Sequence, residues 1–474
     1  MVKLISEGVN RYRIAREQGM KVDAVVYVNP SLLPSLFEDR SLEQLVHAAQ
    51  LPGVIEPVIG MPDIHEGFGL PIGGVMAVSA GDGVISAGAV GMDINCGVRL
   101  IRTNLEAAGV EKQILRRLMQ KVEEYVPTGI GKKSHHDSIT RQVFERVANG
   151  GAQEIIALGH GSKQDLDCIE EQGVLTGADL GCVSKEAFNR GLQQLGTLGG
   201  GNHFIEFQEV TDTFDRNLAD AFGLFKGQLT VMIHTGSRGF GHQICTDYSK
   251  SLLAVAEKYK IMMPSKELAC APLDSREGRN YYCAMACAVN FAFANRQLIM
   301  HDVMRAFEEI AGRGAVRDMK LVYDVAHNIA KVEVQKGKKL LVHRKGATRA
   351  LPAGHPGNPP LYMDTGHPVL IPGSMGTASY VLVGQTKAGE SFYSVNHGAG
   401  RILSRKAALK TITKEQFDRS MGEVLYNTRN YRELADESPA AYKNIEDVVE
   451  TLVTLGFERK VARMRPLAVI KGKD

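Results

Sequence analysis

Four of the chain's 14 histidines sit where an apolar run meets a turn. His234 ends "LTVMIH" ahead of "TGSRG", His327 ends "LVYDVAH" ahead of Asn328, and His397 ends "SFYSVNH" ahead of "GAGR". His203 reverses the order, with "LGTLGGGN" before it and "FIEF" after it. Function tends to sit where rigid strands give way to loops. Glycine lets a backbone come close to a ligand. A lone strand-end imidazole is ordinarily just hydrogen-bonded; four of them within two residues of Gly or Asn point to convergence on one site. "GMDINCGVRL" adds Asp93 and Cys96, three apart, ahead of Gly97. Alone, that pair reads as a turn former and a small buried hydrophobe. With His203, His234 and His327 it becomes a carboxylate, thiolate and imidazole set suited to divalent transition metals. Five ligands exceed the closed tetrahedral set of a structural zinc site, and fit two metals bridged by the thiolate. Softness alone favours zinc over manganese at such a site.

His397 stands outside that set. No Walker motif is present, because "GIGKKS" and "QKGKKL" lack its spacing. No GxGxxG follows a strand. The only Asp-Gly pair, Asp82-Gly83, has Ala80 where a lysine-nucleophile ligase would carry its lysine. Nucleotidyl transfer in this chain needs another nucleophile, and His397 is the candidate. Neutral imidazole attacks phosphorus once metals neutralise the phosphate oxygens. Gly398 and Gly400 would let phosphate reach backbone N–H groups. The other histidines read differently. His135 and His136 fall in a solvated loop, His301 on a long helix, and His343, His355 and His367 in Pro/Gly-rich loops. His65 stands near Asp63 in a turn, and His242 lies near the site.

These residues need a frame. The pattern predicts amphipathic helices over 41–50 and 110–125, strands and tight turns over 71–102, and a long buried helix over 283–310. Cys283 and Cys287 share one face of that helix and read as core. Strands over 369–397 and helices over 415–456 complete an α/β (mixed α+β) class, with central β-sheets flanked by helices. The chain has 474 residues, 44% of them hydrophobic, 50 glycines and a net charge of +3. That balance does not suggest bulk nucleic-acid affinity, and it allows a local basic groove. The seven cysteines form no CxxC pair, which suggests a reducing, cytoplasmic compartment. No apolar run approaches the roughly 20 residues of a membrane span, and the N-terminus lacks the apolar core of a signal peptide.

The motifs "MPDIHEGFGLPIGG", "GAVGMDINCGVR", "GTLGGGNHFIEF", "HTGSRGFGH", "YDVAHNIAK", "PGSMGTASY", "NHGAGR" and a terminal "VIKG" together resemble the RtcB family of RNA-splicing ligases. The likeness runs from about residue 55 to residue 472 in the family's order. It implies a single catalytic domain over 1–474, in the longer form, with an inserted mostly helical segment at about 105–185. It implies a GTP- and manganese-dependent ligase that joins an RNA 3′-phosphate or 2′,3′-cyclic phosphate to a 5′-hydroxyl through a histidine–GMP intermediate, in tRNA splicing or RNA repair. By resemblance, His397 is the nucleophile, Asp63 orients its ring, and Arg238 and Arg401 contact phosphates. Cys96 would bridge two Mn2+ ions, with Asp93 and His203 on one and His234 and His327 on the other. Asn202 would touch the nucleotide phosphate. Glu206, Ser379, Tyr442 and Lys471 would hold the guanosine, with Ser374, Ala399 and Gly400 beside it. The implied partners are RNA (tRNA halves or broken ends) and GTP, with room for an activating protein and no membrane. "VHRKGATR", with Arg344, Lys345 and Arg349, reads either as an RNA groove or as a solvated basic loop. The family pattern ends at "KG", whereas this chain continues with Lys473 and Asp474. A rival function for the same ligands is a dinuclear metal phosphatase or phosphodiesterase acting on RNA ends.

Overall fold

Runs rich in Val, Ile and Leu become strands, and the register of those strands decides what meets at their ends. The computed structural model describes residues 2–17, 19–428 and 430–472. One sheet orders its strands as Lys320–Ala326, Gly97–Glu106, Gln228–Thr235, Phe204–Thr213, Glu458–Lys471, Ser379–Gly384 and Pro368–Ile371, with Leu425–Tyr426 beside Glu458–Lys471. Gln228–Thr235 is buried along its whole length, as expected of a short continuous apolar run. A second sheet runs Ile5–Ser6, Arg11–Ile14, Ala24–Tyr27, Val58–His65, Ile72–Ser79, Lys338–Lys345 and Asn328–Gln335. A short ladder of Ala347–Arg349 with Ser394–Asn396 carries the chain into His397.

In the first sheet, Gly97 pairs with Thr235 on one side and Ala326 on the other, and His234 pairs with Phe204. Lys471 pairs with Phe204 in turn. One end of five neighbouring strands therefore carries His327, Cys96, His234, His203 and Lys471.

The long helix spans Arg276–Ala311, beginning seven residues earlier than its apolar pattern suggests. Ser275 caps it, its side chain accepting the Gly278 N–H, so the polar first turns are helical without being core. The amphipathic stretches become helices at Ser41–Ala48 and Lys112–Tyr125. Residues 107–192 hold helices and 3-10 turns, including Arg141–Gly150 and Lys185–Leu192, and no strand. The helices expected over 415–456 are Lys414–Met421 and Ile445–Leu455, with the short strand Leu425–Tyr426 and 3-10 turns, one of them opened by Pro439, between them.

Three readings need correction. His343 lies buried within the Lys338–Lys345 strand, whereas His367 stays in its loop directly before Pro368–Ile371 and is buried there. His136 is paired with Asp302 at 2.7 Å, not solvated. "VHRKGATR" is neither groove nor solvated loop. Arg344 pairs with Glu333 at 3.0 Å and Arg349 with Glu171 at 2.7 Å. Lys345 donates to the Phe68 carbonyl and, at 3.2 Å, to that of Gly88. Carboxylates from other segments neutralise Arg344 and Arg349, and backbone carbonyls hold Lys345, which is the condition for burying such groups. Among the described residues, no helix is long and apolar enough to cross a membrane. The C-terminal Lys473 and Asp474 lie outside the described residues.

Candidate active site

The Gly-Ala-Gly turn after His397 lies against the Asp63 backbone. Asp63 is fully buried, and its Oδ2 accepts the His397 Nδ1–H at 2.6 Å and the backbone N–H groups of His397 at 2.9 Å and Gly398 at 3.3 Å. Gly400 has φ +73°, and a Cβ there would stand 2.3 Å from the Asp63 carbonyl oxygen. Only glycine permits that approach. With the proton held on Nδ1, the Nε2 lone pair is free to act as a nucleophile. Lys443 braces the other side, donating to the carbonyls of Pro62 at 3.2 Å and of Ile64.

The ligand residues converge as the strand register requires. The Cys96 Sγ lies 3.4 Å from His203 Nε2 and 3.3 Å from His234 Nε2. His234 Nε2 is 3.3 Å from His327 Nε2, and His203 Nε2 is 2.8 Å from Asp93 Oδ2. The ligand atoms of Cys96, His234 and His327 all lie within 4.8 Å of one another, as do those of Asp93, Cys96 and His203. Cys96 belongs to both groups. The His327 ring is 5.0 Å from the His397 ring. His203 Nδ1 lies 3.1 Å from the Leu198 carbonyl, and Nε2 faces Asp93 and Cys96.

The electrostatics suit a cation at this point. Burial pushes the imidazoles of His234 and His327 well below their ordinary range, and that of His203 down as well. Burial and Asp93 push the Cys96 thiol up. Burial also opposes the charge on Asp93, but His203 and Arg238 outweigh it and hold the carboxyl below its ordinary range. Neutral imidazoles, a thiol and a carboxylate with converging lone pairs are the donor set of a soft-to-borderline divalent metal. A bound cation would bring the thiol down to thiolate. The residues present fit two metals sharing Cys96.

A cavity of about 360 Å³ opens onto this cluster. Asp93, Cys96, Asn202, His234, His327, Ser374, His397, Ala399, Gly400, Arg401, Tyr442 and Lys471 line it. Of the other residues singled out in the sequence, Asp63 and His203 lie behind their partners at its wall. Arg238 sets Nη1 3.0 Å from His203 Nδ1. Its guanidinium occupies the space a Cβ on Gly199 would need, at 1.9 Å. Glu206 and Ser379 are buried one layer deeper, and Gln208 Nε2 donates to both, at 2.8 and 3.0 Å. His65 joins the cavity wall, whereas His242 is exposed on the Arg238–Lys258 helix and does not. A larger cavity of about 940 Å³ lies beside the long helix and includes none of these side chains.

Sequence reasoning missed Glu437. This buried carboxylate meets Arg401 at 3.1 Å, Lys471 at 3.4 Å, Arg405 at 3.4 Å and the Tyr442 hydroxyl. These cations hold it below the usual carboxylate range against the effect of burial. Its sequence context, "LADESPAAY", reads as a solvated turn, so no local signal marks it. Lys345 and Asn328 also line the cavity without having been assigned to it.

Cavity, oriented histidine and shared-cysteine cluster together define an α/β protein built around a candidate dinuclear metal centre at the strand ends. The family profile described as "tRNA-splicing ligase RtcB" matches residues 44–472. A Thermococcus kodakarensis protein named tRNA-splicing ligase RtcB is 47% identical over 467 residues, covering 96% of each chain. A protein of the same name from Archaeoglobus fulgidus is 45% identical, covering 96% of this chain and 95% of its own. RNA-splicing ligase RtcB of Mycobacterium bovis is 42% identical over 440 residues, covering 90% of this chain and all of its own. The chain belongs to the RtcB family.

Proposed function

We propose that this protein is an RNA ligase that joins a 3′-phosphate or 2′,3′-cyclic phosphate end to a 5′-hydroxyl end at the expense of GTP, in tRNA splicing or RNA repair. The observation that carries the reading is the pairing of His397 with Asp63, facing the same cavity as the cysteine-centred cluster. A hydrolase that activates water on two metals needs no side-chain nucleophile, and His397 offers one at the cavity.

In this reading His397 Nε2 attacks the α-phosphorus of GTP. An N–P bond forms, the bond to the bridging oxygen breaks, and pyrophosphate leaves. Asp63 keeps the Nδ1 proton and stabilises the positive charge that develops on the ring. A cyclic end is first opened by water, which breaks the P–O2′ bond and leaves a 2′-hydroxyl and a 3′-phosphate. An oxygen of the RNA 3′-phosphate then attacks the phosphorus held by His397, and neutral His397 is released. The 5′-hydroxyl attacks the activated 3′-phosphorus, its proton leaves, and GMP departs. Asp93, Cys96 and His203 would hold one divalent cation, and Cys96, His234 and His327 another, manganese in both cases. They would supply charge neutralisation at the phosphate oxygens. Glu206, Ser379, Tyr442 and Lys471 would hold the guanosine, with Ser374, Ala399 and Gly400 beside it. Asn202, Arg238 and Arg401 would serve the phosphates. Arg401 must first loosen its pairing with Glu437. The unpaired state of all the cysteines suits the cytoplasm.

The test is protein incubated with α-labelled GTP and manganese, beside His397→Ala. Label that is acid-labile and base-stable, present on the native protein and absent from the variant, is expected. A folded, metal-loaded protein that takes no label but still turns over cyclic-phosphate ends would favour the phosphodiesterase.

A further inference from the structure

The long helix carries one guanidinium whose every N–H is spent on the ligand-bearing segments. Arg296 is fully buried. Its Nη1 donates to the carbonyls of Asn95 and Thr235, each at 2.9 Å. Its Nη2 donates to Asn95 Oδ1 at 3.1 Å and Asp324 Oδ1 at 2.8 Å, and its Nε to Asp324 Oδ2 at 2.9 Å. Asn95 precedes Cys96, Thr235 follows His234, and Asp324 lies on the strand Lys320–Ala326 whose end delivers His327, three residues on. Asn95 has a left-handed backbone (φ 52°), which aims its carbonyl and side chain at the same guanidinium. Gly97 leaves the room: a Cβ there would stand 3.0 Å from Arg296 Cζ. The neighbouring Asn295 holds the remaining loops, donating to the carbonyls of Thr197 at 3.1 Å and Gly236 at 3.2 Å.

We propose that Arg296 is a positioning residue for the metal centre: one rigid five-donor fork sets the relative places of Cys96, His234 and His327, and so the affinity and geometry with which they take divalent cations. The inference rests on the reading of these residues as metal ligands. Lysine cannot substitute, since a single ammonium cannot span Asn95, Thr235 and Asp324.

Arg99 supplies the control. It is equally buried and donates to the same Asp324 at 2.7 Å, but its other partners, Gln297 at 2.6 Å and Met300, adjoin no ligand. The full-length native protein, Arg296→Lys and Arg99→Lys are titrated with Co2+, following calorimetry and the thiolate-to-cobalt absorption band. Both variants should lose thermal stability in the absence of metal. Only Arg296→Lys should weaken cobalt binding, by about 10- to 100-fold, with an altered band. Native affinity and band in folded Arg296→Lys would overturn the proposal, as would equal weakening in Arg99→Lys, which would make the effect one of general stability. Should Arg296→Lys fail to fold, Asn95→Gly takes its place: it keeps the left-handed backbone and removes the Oδ1 acceptor, and unchanged cobalt binding there is equally fatal. Native protein that takes no cobalt defeats the metal centre itself, a result visible before any variant is compared.

Discussion

Replacing Glu206 with glutamine should make the protein more stable at neutral pH and should flatten a pH dependence that the native chain carries. Glu206 is almost wholly buried, and burial pushes its carboxyl up to about 8 even though Gln208 and Lys471 pull the other way. In the unfolded chain it titrates near its ordinary 4.5. Between those values the unfolded state has lost a proton that the folded state keeps, so stability falls as pH rises through this window. At about 1.4 kcal/mol for each tenfold in proton affinity, the full effect approaches about 5 kcal/mol, reached above pH 8. Glutamine has the same shape and no charge to bury. The two proteins should therefore unfold almost together at pH 5, and Glu206→Gln should gain about 3 kcal/mol by pH 7, from the same conversion. For a chain of this length that is about 3 °C in unfolding temperature. The assay is thermal unfolding from pH 5 to 8, free of metal and nucleotide. Parallel profiles would refute the reasoning, because they would mean that Glu206 ionises in the folded protein as readily as in water. The same carboxyl gives a functional arm. If it accepts the guanine N–H groups as a carboxylate, native affinity for GTP should rise with pH up to about 8 and that of Glu206→Gln should stay flat.

Asp63→Asn should leave the fold intact and slow His397 labelling on the order of 10²- to 10⁴-fold, the usual worth of a positioned acid–base partner; labelling at the native rate would remove Asp63 from the mechanism. Cys96→Ser should lose bound metal and all ligation, and elemental analysis of the purified variant decides it, since retained ligation would sink the shared thiolate. Manganese at a hundred times its dissociation constant should stabilise the native protein by about 2.7 kcal/mol for each site filled, raising the unfolding temperature, and a chelator should reverse the shift. Cys96→Ser should show neither effect.

What could be read along the chain and what could not divide by distance. The end of an apolar run beside a turn is a local property, so His203, His234, His327 and His397 were visible as a class, and glycine at position 400 announced a close approach before its neighbour was known. That neighbour, Asp63, stands 334 residues from His397, and its identity came only through resemblance. Charged residues were the least legible. Arg344 and Arg349 read as either a basic groove or a solvated loop because the carboxylates that bury them, Glu333, Glu170 and Glu171, stand in other segments. Glu437 carried no signal for the same reason, although Arg401, Arg405 and Lys471 close around it. A charge is placed by its partner, and the partner is a tertiary fact.

The candidate metal centre shows why a fold of this kind can hold ligands that are scattered over more than 230 residues. Cys96, His203, His234 and His327 do not seek one another; each is delivered by the strand it adjoins. The pairings Gly97 with Thr235, Phe204 with His234 and Ala326 with Gly97 bring them to one end of the sheet. A slip of one residue in any of these ladders would shift a ligand by about 3.3 Å and turn its side chain to the opposite face. Packing opposes that slip, because it would exchange the two buried faces of Gln228–Thr235 and mismatch the side chains packed on each. The register that core burial demands is therefore the register the site needs, and Arg296 ties the last loose segments, Asn95 and Thr235, to the helix that covers that core.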